Sequence, residues 1–237
     1  MRTIGLLGGM SWVSSAEYYR LLNERTSDVL GTPHSARCVL YSVDFADIER
    51  MQADGRWDEA AAVLGDAARA VQSAGAELLV LCTNTMHKVA DEIQAAIDIP
   101  LLHLADVTAR AVLDAGITRV GLLGTAYTME QDYYRTRVER HGLDVLVPGA
   151  DDRATVHRSI FDELVNGTIS DASRRSYQQI IAGLAEAGAE GVILGCTEIE
   201  LLIGRSDSPL PTFPTTRLHV DAAVAAALDE HVGTGQS

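Results

Sequence analysis

Short apolar runs alternate along the chain with longer stretches in which apolar residues recur every three or four positions. The short runs are typical of buried strands, and the periodic stretches are typical of amphipathic helices. Strands are predicted at 2–8, 36–43, 77–82, 100–103, 119–124, 144–147, 191–194 and 210–213, and helices at 16–30, 57–73, 85–97, 106–115, 130–141, 154–165, 173–187 and 220–231. Strands separated by helices indicate βαβ crossovers and therefore parallel sheets.

The order of these elements occurs twice, and three short segments mark the two copies. GLLG at 5–8 returns at 121–124, YYR at 18–20 returns at 133–135, and GAE at 75–77 returns at 188–190. We therefore predict an α/β fold of two pseudo-symmetric, doubly wound lobes, each with a mainly four-stranded parallel sheet, and an active site in the cleft between them. Residues 1–102 with 216–237 are predicted to form one lobe and residues 103–215 the other, so the last helix of each copy crosses to the other lobe.

Small polar residues collect where several predicted strands end. They occupy 8–11, 82–85 and 195–198, with Thr125 at the matching end of the second copy's first strand. In parallel α/β sheets, ligands bind outside the carboxyl ends of the strands. A buried strand requires apolar residues, so hydroxyls, an amide and thiols at these ends indicate a binding or catalytic site.

The GAE segments set the register between the two copies. With their offset of 113 residues, Thr83 pairs with Cys196, and Cys82 pairs with Gly195. Thr83 is therefore the predicted counterpart of Cys196. Cys82 is predicted to be a core residue, because successive side chains of a strand point to opposite faces. A register shift that brings Cys82 to the place of Thr83 stays open as an alternative.

These motifs resemble those of the aspartate/glutamate racemases of the Asp/Glu/hydantoin racemase superfamily, and the resemblance covers essentially the whole chain. It is strongest to the broad-specificity or L-aspartate/glutamate-specific branch, whose CTNTMH and GCTE motifs stand here at 82–87 and 195–198. The resemblance implies racemisation of small amino acids without pyridoxal phosphate, metal or any other cofactor. One residue removes the α-proton, and a second protonates the opposite face. The resemblance also implies a homodimer.

One catalytic position departs from the family's usual pattern. When the common motif CNTAH is aligned at His87, its catalytic cysteine falls on Thr83. A thiol can be tuned to act as a base near neutral pH, whereas an unaided alcohol cannot. We therefore expect Cys196 to be the base and Thr83, or a water that it holds, to return the proton. By resemblance, L substrates are then favoured.

Further residues are expected to hold the substrate. Hydrogen-bond donors that could bind its carboxylate and spread the developing charge are Asn84, Thr85, Thr125 and Thr197. The resemblance implies contacts from Met10, Gln52, Asn84, Thr85, Thr197 and Glu198. Arg50 lies in the region where aspartate racemases keep an arginine for the side-chain carboxylate, and its alternative interpretation is a solvated surface residue.

Composition and charge narrow the choice of partners and compartment. The net charge of −14 argues against nucleic acid and anionic membrane surfaces as partners. Three cysteines in 237 residues are not a disulfide framework and favour a reducing cytoplasm. The apolar stretch at the start is too short for a signal peptide, and no run approaches the roughly 20 residues that span a bilayer. The cysteines and histidines lack chelating spacing, so no metal site is predicted.

Two alternatives to a racemase stay open. A relative that uses one cysteine differently, such as a decarboxylase or cis-trans isomerase of small dicarboxylates, would act on substrates without an amine. A non-catalytic amino-acid-binding protein would bind tightly without exchanging the α-hydrogen.

Overall fold

The computed structural model describes residues 1–229, and within them the strands form two sheets of four strands each. The strands are β1 (Ile4–Gly8), β2 (Cys38–Ser42), β3 (Leu78–Leu81), β4 (Leu101–Leu102), β5 (Arg119–Gly124), β6 (Asp144–Leu146), β7 (Gly191–Gly195) and β8 (Thr212–Pro214). Their order is β2-β1-β3-β4 in one sheet and β6-β5-β7-β8 in the other, and every pair is parallel. The predicted α/β fold with two four-stranded parallel sheets is confirmed.

Helices connect the strands and cover the sheets. They are α1 (Trp12–Leu30), α2 (Phe45–Ala53), α3 (Trp57–Ser73), α4 (Ala90–Ala95), α5 (Leu104–Asp114), α6 (Ala126–Glu130), α7 (Asp132–Glu139), α8 (Ala150–Asp162), α9 (Asp171–Glu186), α10 (Thr197–Leu202) and α11 (Thr215–Leu228). Single 3-10 turns lie at Thr85–Val89, Leu164–Asn166 and Arg205–Asp207.

Several helix boundaries differ from the sequence-based prediction. Neither α2 nor α10 was predicted, because both are short, with nine and six residues, and α2 also buries only two of its residues. The predicted helix at 130–141 is replaced by α6 and α7, which are separated by the extended backbone of Gln131. The predicted helix at 85–97 begins as a 3-10 turn. The predicted end of the last helix at His231 lies outside the described residues.

The described chain divides into two compact units. The first unit contains Met1–His103 and the residues from His219 onward, and the second contains Leu104–Leu218. Helix α11 therefore begins in the second unit and continues in the first. Each unit has its own sheet with apolar clusters packed on both of its faces.

The two sheets repeat each other in detail. Leu7 pairs with Leu81 in the first sheet, and Leu123 pairs with Leu194 in the second. At the opposite end of the sheets, the carboxylate of Glu77 accepts a hydrogen bond from the backbone N–H of Thr3 at 2.7 Å. Glu190 accepts one from Thr118 in the same way at 2.9 Å. The repeat seen in the sequence is thus a repeat of backbone hydrogen bonding.

Glycine lets a helix approach the central strand of each sheet closely. A Cβ atom on Gly5 would lie 2.4 Å from Cγ1 of Val71 in α3. A Cβ atom on Gly121 would lie 2.8 Å from Cδ1 of Leu184 in α9. Both distances are shorter than real Cβ contacts, so the GLLG repeat reflects close helix–sheet packing in both units.

Candidate active site

In the first unit, the chain turns sharply after β3 and leaves one residue partly accessible. The N–H of Thr83 donates to the carbonyl of Leu81 at 2.9 Å, and the 3-10 turn Thr85–Val89 follows directly. Thr83 is half-buried, whereas Cys82 before it and Asn84 after it are buried. Thr83 is therefore the accessible member of its motif.

Cys196 occupies the equivalent place in the second unit. Because Leu81 and Leu194 hold the same register in their sheets, Cys196 and Thr83 both stand two residues beyond equivalent positions. Cys196 is also half-buried, between the buried Gly195 and Thr197. The two residues predicted to be catalytic are thus the partly accessible ones at the ends of the matching strands.

The carbonyl of Thr83 is held by a side chain of the same motif. Nδ1 of His87 lies 2.7 Å from the Thr83 carbonyl oxygen. A carbonyl can only accept, so Nδ1 carries the proton and donates. The backbone of Thr83 is therefore tied at both its N–H and its C=O. His87 thus holds this loop through a hydrogen bond within the motif.

Four other residues expected to contact substrate are buried near the same end of the first sheet. Met10 belongs to the apolar cluster that also contains Met86, and Nε2 of Gln52 lies 2.9 Å from the sulfur of Met86. Asn84 and Thr85 are buried next to Thr83 in sequence. The polar atoms of these residues lie inside the protein. Hydrogen bonds to a ligand are stronger there than in water, because the local dielectric constant is lower.

Cys196 forms a pair with a carboxylate in the second unit. Its Sγ donates to Oε2 of Glu198 at 2.9 Å. Burial first, and then the negative charge of Glu198 and this hydrogen bond, raise the pKa of the Cys196 thiol well above its ordinary value. In the free protein at neutral pH, the sulfur is therefore a thiol and the neighbouring carboxylate is its acceptor.

Two further predicted residues are buried at the same end of the second sheet. Oγ1 of Thr197 accepts a hydrogen bond from the hydroxyl of Thr216 at 3.2 Å. Thr125 is the N-cap of α6, where its Oγ1 accepts from the N–H of Thr128 at 3.4 Å. Thr125, Thr197 and the Cys196–Glu198 pair thus follow neighbouring strands of the same sheet.

Arg50 lies apart from this group. Its side chain is 68% exposed and forms an ion pair with Asp47 on the same turn of α2. It also donates to the carbonyl of Ala46. The described structure thus places Arg50 on the surface, as in the alternative interpretation.

Cys82 is fully buried in the apolar cluster that contains Tyr18 and Leu22. Its Sγ lies 3.8 Å from the carbonyl of Val80. Burial raises the pKa of the Cys82 thiol far above its ordinary value. These surroundings favour the interpretation of Cys82 as a core residue over a register shift toward Thr83.

Sequence reasoning did not single out several residues that support these strand ends. Thr215 and Thr216 follow β8 and are fully buried, and Thr215 donates to the carbonyl of Leu194 at 2.9 Å. His103 and His219 are buried in the first unit together with Tyr18. The sequence did contain a signal for the two threonines. They follow an apolar strand directly, and hydroxyls in that position marked the other strand ends.

In residues 1–229, no group of three or more His, Cys, Asp or Glu side chains is placed to hold a metal ion. None of the helices in that same range is long and apolar enough to cross a membrane.

Comparison with known proteins gives consistent matches. A family model described as Asp/Glu/hydantoin racemase matches residues 7–223. The chain is similar to the crystal structure of a candidate Asp/Glu racemase from Yersinia pestis, with 50% identity, coverage of 96% of this chain and 100% of that chain, and a TM-score of 0.91. It is also similar to an aspartate racemase homologue from Pyrococcus horikoshii, with 32% identity, coverage of 96% and 99%, and a TM-score of 0.85. A broad-specificity amino-acid racemase from Bacillus subtilis is 22% identical over 72% of this chain and 74% of its own length.

Proposed function

Since the chain belongs to the Asp/Glu/hydantoin racemase family, we propose that it is an amino-acid racemase that acts on aspartate and glutamate without pyridoxal phosphate. The observation that carries the proposal is the equivalence of Thr83 and Cys196. They hold the same position beyond matching strands, and both are accessible among buried neighbours. Two such residues can serve the two faces of one α-carbon.

The chemistry is asymmetric, because one of the two residues is an alcohol. We assign the base to Cys196, whose thiolate removes the α-proton of an L substrate. Thr83, directly or through a water that it holds, returns a proton to the opposite face. A thiol ionises near pH 8.5 and can be shifted, whereas an alcohol does not ionise near neutral pH. L substrates are therefore favoured.

The Cys196–Glu198 pair supplies the thiolate. The raised pKa of Cys196 means that its proton must leave before the sulfur can act as a base. Glu198 lies at hydrogen-bond distance and takes that proton, while the ammonium group of a bound substrate favours the negative sulfur. Sγ then removes the α-proton, and the electron pair left on the α-carbon takes its new proton from the Thr83 side. The alkoxide or hydroxide left at Thr83 regains a proton from solvent, and Glu198 releases its proton to solvent, so the site returns to its resting state.

The buried donors around each residue fit an anionic substrate. The Asn84 amide and the hydroxyls of Thr85, Thr125 and Thr197 are buried close in sequence to Thr83 or at the matching strand ends of the second unit. Preorganised donors in a desolvated site stabilise charge that develops on a carboxylate. Met10 and Gln52 are buried in the first unit near Asn84 and Thr85, whereas Arg50 lies on the surface and is paired with Asp47.

The test is hydrogen exchange in heavy water. Purified protein free of pyridoxal phosphate is incubated with L-aspartate, L-glutamate and other L-amino acids, and loss of the α-hydrogen is followed by proton NMR. Exchange is expected with the wild type and is expected to be lost in Cys196→Ala. Cys82→Ala is the matched control and is expected to keep exchange.

The other arms separate the alternatives. D enantiomers are expected to react more slowly than L enantiomers, and equal rates would contradict the assignment of Thr83. Turnover of amine-free dicarboxylates without amino-acid exchange would indicate a decarboxylase or isomerase. Tight binding of an amino acid without exchange would indicate a binding protein.

We also propose that the protein forms a homodimer, as its resemblance to the family implies. Large apolar side chains of Trp12, Tyr19, Leu40 and Tyr41 are exposed on the first unit. Exposed apolar side chains of this size are typical of interaction surfaces when they cluster. Sedimentation equilibrium is expected to give twice the chain mass for the wild type and a lower mass for Trp12→Ser with Leu40→Ser. A wild type that sediments as a monomer would contradict the dimer.

A further inference from the structure

A cluster of three imidazoles and one phenol lies buried in the first unit next to Thr83. His87, His103, His219 and Tyr18 are all buried. The ring centroids of His87 and His103 are 4.7 Å apart, and those of His87 and His219 are 5.8 Å apart. Polar rings of this kind are seldom placed together inside a protein unless hydrogen bonds hold them.

Hydrogen bonds fix the orientation of His219. Its Nε2 lies 2.8 Å from the carbonyl oxygen of Leu102, which can only accept, so Nε2 carries a proton. Its Nδ1 lies 3.0 Å from the hydroxyl of Tyr18. Burial lowers the pKa of His219 to about 4, so the ring is neutral and Nδ1 accepts the tyrosine proton. Both ring nitrogens therefore have a defined role.

His87 connects the fixed ring of His219 to the backbone of Thr83. Its Nδ1–H donates to the carbonyl of Thr83, and its ring meets His219 edge to face with an interplanar angle of 61°. The rings of His103 and His219 both contact the same imidazole, and together they limit its rotation. A change in the orientation of His87 would release the Thr83 carbonyl and leave the residue held only through its N–H.

We propose that Tyr18 and His219 are positioning residues for Thr83, and that they act through the ring of His87. The proposal rests on the proposed function of Thr83, which returns the proton on one face. Tyr18 and His219 are fully buried, and we assign them no contact with the substrate. Their role is to keep the Thr83 turn in the geometry in which its hydroxyl, or a water on it, can reach the α-carbon.

The test measures a ratio that does not depend on how much protein is folded. In heavy water, an L substrate loses its α-hydrogen to Cys196 and either returns to deuterated L substrate or becomes D product. Only the second outcome uses the Thr83 side. The ratio of D product to deuterated L substrate therefore reports on Thr83, whereas a loss of folded protein lowers both equally.

His219→Phe keeps an aromatic ring but removes both hydrogen bonds. It is expected to lower the ratio about tenfold, within the roughly 10²-fold that 1 Å of misplacement can cost. His219→Gln can still donate to the Leu102 carbonyl, and it is expected to restore most of the ratio. Tyr18→Phe removes only the hydroxyl and is expected to give an intermediate value.

The matched control is Tyr134→Phe. Tyr134 is a fully buried tyrosine of the second unit, from the same repeated YYR segment. For Tyr134→Phe, the ratio of D product to deuterated L substrate is expected to equal that of the wild type. A wild-type ratio in both His219→Phe and Tyr18→Phe would overturn the proposal, and Tyr18→Phe alone decides if His219→Phe does not fold.

A second readout does not need turnover. The Nδ1–H of His87 is buried and hydrogen-bonded, so it is expected as a slowly exchanging imidazole resonance in the NMR spectrum of the wild type. Its broadening or loss in His219→Phe, with the rest of the spectrum retained, would support the positioning role. An unchanged resonance would contradict it. If the wild type shows no exchange with any substrate, the proposed function fails, and this resonance still tests the link from His219 to His87.

Discussion

The thiol of Cys196 donates a hydrogen bond to the carboxylate of Glu198 at 2.9 Å. Burial is the main reason that the sulfur is protonated at rest, and this contact adds to it, because a negative charge nearby disfavours a second one. The same contact gives the thiol proton a place to go. In the mechanism that we propose, the pair therefore opposes the thiolate in the free protein and supports it during the reaction. One substitution can separate these two effects.

Glu198→Gln is expected to increase thiolate and decrease turnover at the same time. Removal of the carboxylate charge lowers the pKa of Cys196 toward its ordinary value, and each unit of decrease gives about tenfold more thiolate at a pH below the pKa. The rate at which iodoacetamide alkylates the peptide that contains Cys196, measured against pH by mass spectrometry, should therefore shift to lower pH. Exchange of the substrate α-hydrogen should fall, because the proton acceptor is lost.

Cys82 provides the internal control in the same digests. Its buried thiol should alkylate slowly in both proteins. If Glu198→Gln exchanges the substrate faster than the wild type, Glu198 is not the proton acceptor and only suppresses the thiolate.

Thr83→Cys is expected to make the enzyme more symmetric. A thiol at this position can become a base for the D face, which an alcohol cannot. Exchange of D substrates in heavy water should rise relative to L substrates. Valine has a shape similar to that of threonine but lacks the hydroxyl. Thr83→Val should therefore still exchange the α-hydrogen of the L substrate but form less D product. Unchanged D exchange in Thr83→Cys would show that the asymmetry has another source.

The strand ends and their register could be predicted from sequence because they depend on local rules. The GAE segments lie directly before the strands that lead to Thr83 and Cys196. Residues related by the offset of 113 therefore hold equivalent hydrogen-bonded positions in the two sheets. Parallel sheets then bring the ends of neighbouring strands to one edge. No contact between distant segments had to be known.

The histidine cluster and the position of Arg50 could not be predicted in this way. Tyr18 and His219 are 201 residues apart, and nothing in either segment indicates the other. Arg50 lies on α2, a short helix that buries only Ile48 and Gln52, so its periodicity was too weak to show which residues face outward. These features depend on tertiary packing, for which a single sequence carries little signal.

Gly5→Ala is expected to destabilise the protein, and Gly183→Ala is its matched control. A Cβ atom on Gly5 would overlap Val71, so the substitution should lower the free energy of unfolding by about 1–3 kcal/mol. Gly183 lies in α9 with nothing within 4 Å of the added Cβ. Alanine at this position should therefore raise the free energy of unfolding by roughly 0.5–1 kcal/mol. Urea unfolding followed by circular dichroism checks both, and equal effects would contradict the packing argument.

The stability of the protein is expected to depend on pH through His219. Its pKa is lowered from 6.5 in the unfolded chain to about 4 in the folded protein, so the unfolded state binds more protons between these values. The full stability is present above pH 6.5 and is lost as the pH falls toward 4, by up to about 3 kcal/mol. Carboxylates also titrate in this range, so the wild type is compared with His219→Gln. The free energy of unfolding, measured in urea at several pH values, should fall more steeply with acid in the wild type. Parallel curves for the two proteins would mean that His219 is not buried as a neutral ring.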